Sequence, residues 1–364
     1  MTSSYTYLTD QLLRCVLQIA TQVLHPNPNP TEGERLAMIG VGGYGRGEMA
    51  PFSDVDLLFL IPYKATAWSE SVIESMLYIL WDLKLKVGHA TRTIEDCLRL
   101  GADDYTIQTA LLENRFIDGD LTLAQELSER LKNDLFSGAG KDFIEAKLEE
   151  RDNRHLKQGE RYMVEPNVKE GKGGLRDLHS LFWIAKFIHD VDRVADLVDL
   201  GVFRADEYDT FREAEAFLWA VRGHLHLIAG RATEQLTFDM QVQVAQAMGY
   251  QDIGGRRGVE IFMQAYFRHA TAVGDLTRIF VSGLEASHMK AEPLLERIFR
   301  RRPKMREGFQ VVHNRIALKD DQEFLQDKLN LLRIFEEALR TGMLIHPDAM
   351  RLIKANLALI DDDM

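Results

Sequence analysis

The sequence is poor in cysteine and has no long apolar run. Its 364 residues contain only two cysteines, Cys15 and Cys97, which lie far apart in the chain. Two thiols in a chain of this length are expected to be reduced, which indicates a cytoplasmic protein. No uninterrupted apolar stretch reaches the ~20 residues that a membrane helix needs. The first residues lack the positive charge and apolar core of a signal peptide. We therefore expect no membrane partner.

The sequence also lacks an excess of positive charge. Lys and Arg total 44 against 56 Asp and Glu, which gives a formal net charge of −12. Proteins that bind nucleic acid broadly need a basic surface, so we expect no nucleic-acid partner. An acidic protein can bind an anionic nucleotide only through a local cluster of cations or through a metal.

Two common phosphate-binding motifs are missing. The glycine-rich stretch 42–47 is not followed by the Lys-Ser or Lys-Thr of a P-loop. Its glycines also have the wrong spacing for a dinucleotide-binding fingerprint, and the next segment is predicted to be a strand rather than a crossover helix. A phosphate site in this stretch would therefore belong to a different class of protein.

Two apolar runs flank the glycine-rich stretch, and alternate aspartates open the second one. Residues 54–61 are predicted to form a strand, so Asp54 and Asp56 point to the same face. Gly42 and Gly43 let the backbone approach a phosphate closely. Paired carboxylates are ligands that Mg²⁺ prefers. The pattern favours metal-assisted transfer of a phosphorus group over a glycine hairpin with a solvated aspartate pair, because two carboxylates beside an apolar run are costly without a cation.

A second glycine-rich string, 171–174, directly precedes the predicted helix 175–189. Helix N-termini favour anions, and Lys169, Lys172 and Arg176 add positive charge nearby. The string is therefore a candidate arm over a triphosphate or over an acceptor protein. The alternative is a loop between domains whose glycines serve a turn and whose Arg176 forms a structural ion pair.

These strings resemble known families. Val41-Gly42-Gly43 followed by Asp54-Val55-Asp56 resembles the nucleotidyltransferase superfamily that includes DNA polymerase β. The string from Tyr162 to Asp177, with Gly88-His89 and Arg92-Thr93, resembles the bifunctional uridylyltransferase/uridylyl-removing enzymes of the PII nitrogen-regulatory protein. The resemblance covers most of residues 30–300 and weakens after about residue 300.

The resemblance implies transfer of UMP from UTP to a tyrosine hydroxyl of the PII signal protein, with release of pyrophosphate. Asp54 and Asp56 would be catalytic and would hold Mg²⁺. The nucleotide would be bound by a wider set of residues, which is Gly42, Gly43, Arg46, Ser53, Lys172 and Arg176.

Several roles stay open at this point. Asp82 and Glu113 are both candidates for a third carboxylate that deprotonates the acceptor. Arg46 either contacts phosphate or pairs with Glu48, and Ser53 either bonds to a phosphate or caps a turn. Adenylyl or other nucleotidyl transfer to a different protein is an alternative function, and so is a non-catalytic nucleotide sensor. No feature of the sequence selects uracil on physical grounds.

The predicted fold class is α+β. It comprises an N-terminal helix and linker (1–30), a small mixed-sheet nucleotidyltransferase domain (31–123), a mostly helical domain (124–310) and a C-terminal helical segment (311–364). Full-length enzymes of the resembled family continue into a metal phosphohydrolase domain and two ACT domains. Because the sequence ends where the first of these would begin, we expect it to lack the uridylyl-removing activity.

Three further patterns are expected to be structural. His224 and His226 diverge on a helix, so we do not expect them to chelate one ion. The His189-Asp190 pair has no companion histidine spacing. The basic run 297–306 is predicted to be a solvated helix end, with docking of an acidic segment as the alternative.

Overall fold

The structure is a computed structural model that describes residues 2–137, 140–158, 163–191, 193–288, 305–312 and 315–359. Contacts divide the chain into two compact units, Met1–Val273 and Gly274–Met364. The predicted α+β class is confirmed, since helices accompany two small mixed sheets. In the described part of the chain, none of the helices has the length and apolar character to cross a bilayer.

A four-stranded mixed sheet forms the centre of the first unit. Its spatial order is β3-β2-β1-β4, with β1 antiparallel to both neighbours and β2 parallel to β3. The small mixed sheet predicted for the nucleotidyltransferase domain is therefore present. Its strands are β1 (Ala37–Gly40), β2 (Val55–Leu60), β3 (Val87–Arg92) and β4 (Arg115–Gly119).

Helices cover both faces of this sheet. The side chains of β1 and β2 alternate between two apolar clusters, as the strand period of two requires. Met38 and Phe59 join the cluster that contains α1 and α3, whereas Ile39 and Leu58 join the cluster on the other face. The helices that accompany the sheet are α1 (Thr2–Gln18, extended by a π-helical turn Ile19–Leu24), α2 (Gly42–Gly45), α3 (Ala67–Asp82), α4 (Ile94–Asp103), α5 (Tyr105–Leu112) and α6 (Leu121–Arg130, followed by a π-helical turn Leu131–Leu135).

The chain becomes helical after the sheet, as predicted. Three of these helices, the first, the second and the fourth in chain order, contribute residues to the candidate site described below. The helices are α7 (Gly140–Gln158), α8 (Leu175–His189), α9 (Asp196–Asp199), α10 (Ala205–Ala229), α11 (Phe238–Ala247) and α12 (Gly258–His288).

The prediction of a wholly helical C-terminal segment, 311–364, is wrong. The second unit contains a three-stranded sheet of order β5-β6-β7 around its own apolar core. Its strands have four residues or fewer, which is too short for a period-two pattern to stand out from a helical one. The elements are β5 (Phe309–Val312), β6 (Arg315–Leu318), α13 (Asp321–Gln326), α14 (Asn330–Thr341), β7 (Leu344–Ile345) and α15 (Pro347–Ala355).

The run 111–117 reads in the sequence as one further strand, but the structure divides it between a helix and a strand. Leu111 and Leu112 end helix α5, and the strand begins only at Arg115. Asp104 starts this helix, because its side chain accepts hydrogen bonds from the N–H groups of Thr106 and Ile107. A short continuous apolar run fits a buried helix as well as a buried strand, so the sequence period did not separate them.

Segments on both sides of 31–123 pack onto the sheet. Leu13 and Val16 of α1 belong to one apolar cluster, and Leu127 of α6 and Leu131 of the turn after it belong to the other. The predicted domain boundaries stay predictions, and the sheet core itself draws on residues from before and after them.

A buried polar contact ties α1 to the sheet. The Asp10 carboxylate accepts a hydrogen bond from the Tyr44 hydroxyl at 2.5 Å and from the Arg115 guanidinium at 2.7 and 3.1 Å. The Arg115 guanidinium also lies 5.2 Å from the centre of the Tyr44 ring. Burial, and next the hydrogen bond to Asp10, raise the pKa of Tyr44, so its hydroxyl stays a donor.

We predict that Asp10→Ala lowers the free energy of unfolding by about 2–3 kcal/mol, because it leaves the Tyr44 hydroxyl without its acceptor and the Arg115 guanidinium without its carboxylate partner. Tyr44→Phe is the matched variant, and it should cost only about 1 kcal/mol because the Asp10–Arg115 pair remains. Urea denaturation measures both changes. Equal losses in the two variants would show that the ion pair contributes nothing beyond the hydroxyl.

Candidate active site

The first glycine-rich string and two residues that flank the second, Lys169 and Arg176, line one cleft of about 340 Å³ in the first unit. The strings are more than a hundred residues apart in sequence. The cleft has a volume in the range typical of small-ligand sites. Among the residues predicted for the site, those that line it are Gly42, Gly43, Arg46, Ser53, Asp54, Asp56 and Arg176.

The first glycine-rich string forms the single helical turn α2 rather than a hairpin. Gly42 has a φ of +58°, a left-handed conformation that side chains disfavour, and a Cβ there would lie 3.6 Å from Asp56 Oδ2. Gly43 is outside this φ region, and a Cβ added to it would have no neighbouring atom nearer than 3.8 Å. Gly45 permits close packing, since a Cβ there would lie 1.8 Å from the Glu113 carbonyl oxygen. Glycine is thus required at position 42 by the backbone angle and at position 45 by close packing, whereas position 43 is open.

Asp54 and Asp56 stand at the start of β2 beside α2. Asp54 is exposed and Asp56 is half-buried. Burial, and next the charge of Asp54, raise the pKa of Asp56, and Lys169 opposes this. The described residues contain no group of three His, Cys, Asp or Glu side chains placed to share a metal. Two carboxylates are nevertheless a fitting donor set for Mg²⁺, which usually takes one or two carboxylates together with waters and substrate phosphates.

Arg46 forms a buried ion network at the back of the cleft. Its guanidinium donates to Glu113 at 2.5 Å and to Glu48 at 3.0 Å, and the side chains of Arg46 and Glu113 are only 10% and 1% exposed. Its Nη2 also lies 3.4 Å from Nδ1 of His179 on α8. Of the two roles open for Arg46, the structure therefore shows pairing with Glu48, and with Glu113 as well.

The ionisation states in this network follow from burial and charge. Burial, and next the charge of Arg46, lower the pKa of His179 to about 3, so its imidazole is neutral near pH 7. Burial on its own raises the pKa of Glu48, but the His179 ring and the Arg46 charge outweigh it and lower that pKa to about 2. Nε2 of His179 lies 3.6 Å from Glu48 and finds no hydrogen-bond partner among the described residues.

The glycines of the second string serve the turn, contrary to the prediction of an anion-binding helix start. The Gly171 N–H donates to the Asn167 carbonyl oxygen, the Gly174 N–H to that of Gly171, and the Gly173 N–H to the Asp177 carboxylate. A helix start whose N–H groups already have acceptors offers little to an anion. Asp177 in turn accepts from Arg154 and His155 of α7, so this turn is a structural joint.

Two cations of the segment 169–176 line the cleft, and only one of them was among the predicted binding residues. Arg176 and Lys169 line the cleft, whereas Lys172 does not. Both lie near Glu170, Arg176 at 3.3 Å and Lys169 at 3.9 Å. Lys172 lies in the middle of the turn. Its charge and its place in the sequence therefore did not show whether it would line the cleft.

The structure also bears on two roles that the sequence left open, the third carboxylate and the function of Ser53. Glu113 lines the cleft but already accepts hydrogen bonds from Arg46 and the Trp183 indole. Asp82, the other candidate for a third carboxylate, ends α3 and does not line the cleft. Ser53 caps a turn, because its hydroxyl accepts a hydrogen bond from the Ala50 N–H at 3.0 Å.

Comparison with known proteins identifies the family. Residues 142–281 match the family model described as GlnD PII-uridylyltransferase. The chain is 68% identical, over all 364 residues, to the bifunctional uridylyltransferase/uridylyl-removing enzyme of Ruegeria pomeroyi. The chain belongs to this GlnD family.

Other GlnD relatives show the same relation. The chain is 62% identical over 358 residues to the enzyme of the same name from Cereibacter sphaeroides, and 49% identical over 354 residues to that of Rhodospirillum rubrum. These matches cover 98% and 97% of this chain but 38% of each relative. The match to the Ruegeria enzyme covers 40% of that protein. The chain thus spans about 40% of the length of the curated GlnD proteins that it matches.

The motif analysis missed several residues that line the site in this GlnD chain. The Trp183 ring has three cations within 6 Å of its centre, namely Arg46 at 5.8 Å, Lys147 at 5.4 Å and Arg176 at 5.2 Å. Trp219 likewise packs under Arg222, at 4.9 Å. The available signal was the helical spacing of polar residues on apolar faces, His179 with Trp183 on α8 and Trp219 with Arg222 on α10.

The two histidine motifs and the basic run 297–306 are not assigned a catalytic role. Nδ1 of the buried His226 accepts a hydrogen bond from the Phe52 N–H at 3.4 Å, which fixes the loop before Asp54. Asp190 ends α8 and pairs with Lys132. Of the run 297–306, only the last two residues lie within the described residues, and Arg306 pairs with Glu336 at 2.8 Å.

We predict opposite effects for alanine at the two adjacent glycines. Gly42→Ala should lower the free energy of unfolding by roughly 1–2 kcal/mol, because alanine disfavours positive φ. Gly43→Ala should leave stability equal or raise it by about 0.5 kcal/mol, because alanine is the better helix former. If position 43 faces a phosphate, Gly43→Ala should still weaken nucleotide binding. Thermal unfolding and calorimetric titration with UTP separate the two effects, and a destabilised Gly43→Ala would contradict this view of the turn.

Proposed function

We propose that the chain transfers UMP from UTP to a tyrosine hydroxyl of the PII signal protein and releases pyrophosphate. The observation that carries this proposal is that the two family strings meet in one cleft. The aspartate pair and the glycine turn line this cleft together with Lys169 and Arg176. Carboxylates and cations that line the same cleft suit a metal-bound triphosphate. The family membership supports the uridylyl group and the PII acceptor.

The residues of the chain supply binding and orientation. The first N–H groups of a helix have no acceptor within the helix, so those of Gly42 and Gly43 are available to the phosphates. Lys169 and Arg176, which line the same cleft, hold the triphosphate by their charge. Together these contacts orient the α-phosphorus for in-line attack by the acceptor oxygen. A bond from the phenolic oxygen to the α-phosphorus forms as the bond to the pyrophosphate oxygen breaks, and the phenolic proton is lost to solvent.

Asp54 and Asp56 would hold Mg²⁺, which when bound neutralises charge on the phosphates and lowers the pKa of a coordinated hydroxyl. The raised pKa of Asp56 fits this role, because a cation beside the two carboxylates relieves their repulsion.

The central test is incubation of the chain with purified PII protein, Mg²⁺ and each nucleoside triphosphate in turn, followed by intact mass of PII. Addition of UMP, with release of pyrophosphate, is expected with UTP. Addition of AMP from ATP would favour the alternative of adenylyl transfer. Nucleotide binding without any covalent product would favour a sensor.

We predict that Asp54→Asn and Asp56→Asn each lower transfer by about 100-fold or more, since several kcal/mol of charge stabilisation are lost. Asp103→Asn, at an exposed position of α4 outside the cleft, is the matched control and should transfer normally. Near wild-type transfer by either cleft variant would disprove the metal assignment.

Asp56→Asn should also change stability with pH. A carboxyl whose pKa is raised by folding stabilises the fold below its unfolded-state pKa, and this stabilisation is lost as the pH rises through the folded-state pKa. Without Mg²⁺ the variant should therefore unfold at a higher temperature than the wild type near pH 7. The difference should shrink as the pH falls.

Arg176→Ala should lower transfer at least ~10-fold, because it removes a charge-assisted contact of about 1.5–3 kcal/mol. Its thermal stability should fall only slightly, since the Arg176 side chain is partly exposed. Lys172→Ala removes the same charge from the same turn but outside the cleft, so it should leave transfer nearly unchanged. If both variants behave alike, net charge rather than position decides their effect.

A further inference from the structure

Strand β3 is an outer strand of the four-stranded sheet, and its outer edge is open. The carbonyl oxygens of Lys86 and Arg92 accept hydrogen bonds from the chain of β2, so even-numbered residues of β3 face β2. His89 and Thr91 therefore present their N–H and C=O groups outward. Both residues are exposed, and no described residue forms a hydrogen bond with these outward groups. Such an edge is a template for another extended chain.

The opposite edge of the same sheet is covered. Helix α1 packs along β4, and the Arg14 guanidinium donates to the Ile117 carbonyl oxygen at 3.0 Å. Of the two edges of this sheet, the one at β4 is therefore covered and the one at β3 is open.

An apolar hollow of about 260 Å³ lies between β3 and α5 and leads to Asp56. Ala90 of β3 and Ile107 and Ala110 of α5 form its walls, and it reaches Gly42 and Asp56. The hollow is large enough for a phenol ring. It shares Gly42 and Asp56 with the cleft proposed for the nucleotide, so a ring in it would point its hydroxyl at the metal-binding carboxylates.

Glycine at position 88 leaves the way from the sheet edge to Asp56 free. Gly88 is paired with Asp56 in the parallel register of β2 and β3. A Cβ at Gly88 would lie 2.6 Å from Asp56 Oδ1, so any side chain there would displace the carboxylate. The exposed strand thus has no side chain between its outer edge and Asp56.

The other face of β3 carries a second apolar hollow. It lies against α3, is lined by Ile73, Leu77 and Thr91, and is bordered by the exposed rings of Tyr78 and Trp81, which are 57% and 45% exposed. A strand added beside β3 would direct alternate side chains to the two faces, one into each hollow.

We propose that an extended segment of the acceptor protein adds to the sheet along β3. Its tyrosine ring occupies the hollow between β3 and α5, and the apolar side chain of an adjacent residue enters the hollow against α3. The unpaired backbone groups of His89 and Thr91 specify an extended chain, and the glycine beside Asp56 specifies where its reactive side chain lies. This inference rests on the proposed function, and it assigns the acceptor site of that reaction.

The first test compares His89→Pro with His89→Ala in steady-state transfer from UTP to purified PII protein. Proline removes the outward N–H without breaking a bond to β2, and outer strands tolerate proline. We expect the KM for PII to rise at least ~10-fold in His89→Pro with calorimetric UTP affinity unchanged, since one or more backbone hydrogen bonds are lost. His89→Ala keeps the N–H and removes only the imidazole, so its KM for PII should rise by much less than in His89→Pro. An unchanged KM in His89→Pro overturns the proposal.

Two further measurements do not depend on the folding of the proline variant. Ala90→Leu fills the hollow between β3 and α5 and should raise the KM for PII while UTP affinity stays constant. In the wild type, hydrogen exchange at the amides of His89 and Thr91 should slow when PII and a non-hydrolysable UTP analogue are both present. Unchanged exchange at these amides contradicts the proposal.

The outcomes separate this proposal from the proposed function. If the wild type transfers no nucleotide to PII, the proposed function fails. If the wild type transfers UMP but Ala90→Leu keeps the wild-type KM and the β3 amides are not protected, only the acceptor site is wrong.

Discussion

The buried guanidinium of Arg46 is the constraint on which the rest of the site depends. A charge this far from water has to be paired, because an unpaired buried ion costs several kcal/mol. Its partners come from three places, which are the loop after α2 (Glu48), the end of α5 (Glu113) and α8 (His179). Pairing them fixes the sheet and α8 in one arrangement. Gly45 packs closely on the carbonyl group of Glu113, so the end of α5 is also held against α2 by its backbone.

An aromatic ring adds to the pairing of the cations in the cleft. Arg46 contacts Glu48 and Glu113, Lys147 contacts Glu150, and Arg176 contacts Glu170. The Trp183 ring attracts the same three cations electrostatically, and it carries no net charge. Asp54 and Asp56 add two further carboxylates to the cleft of a protein whose net charge is −12, so they need a cation of their own.

Local patterns predicted the sheet and the aspartate pair, because strand alternation and glycine geometry act over a few residues. Asp54 and Asp56 share a face as their spacing requires, and the mixed sheet that holds them was expected. The features that local patterns did not predict depend on contacts between distant parts of the chain. Lys172 does not line the cleft, since it belongs to a turn that is closed by its own backbone hydrogen bonds, whereas Lys169 lines the cleft together with Arg176. The C-terminal strands were too short to show a period, and His179 could be recognised as a site residue only once α8 was placed against Arg46.

The hydrogen bond from the Phe52 N–H to His226 ties the two parts of the first unit together mechanically. Phe52 is two residues before Asp54, whereas His226 is buried on α10. The helical region therefore acts as an anchor for the loop that aims the carboxylates, in addition to forming a wall. A chimera that combined this sheet with the helices of a different protein would retain Asp54 and Asp56 but lose this contact to the loop before them. The two parts are for this reason a single module for protein engineering, and they should be exchanged together.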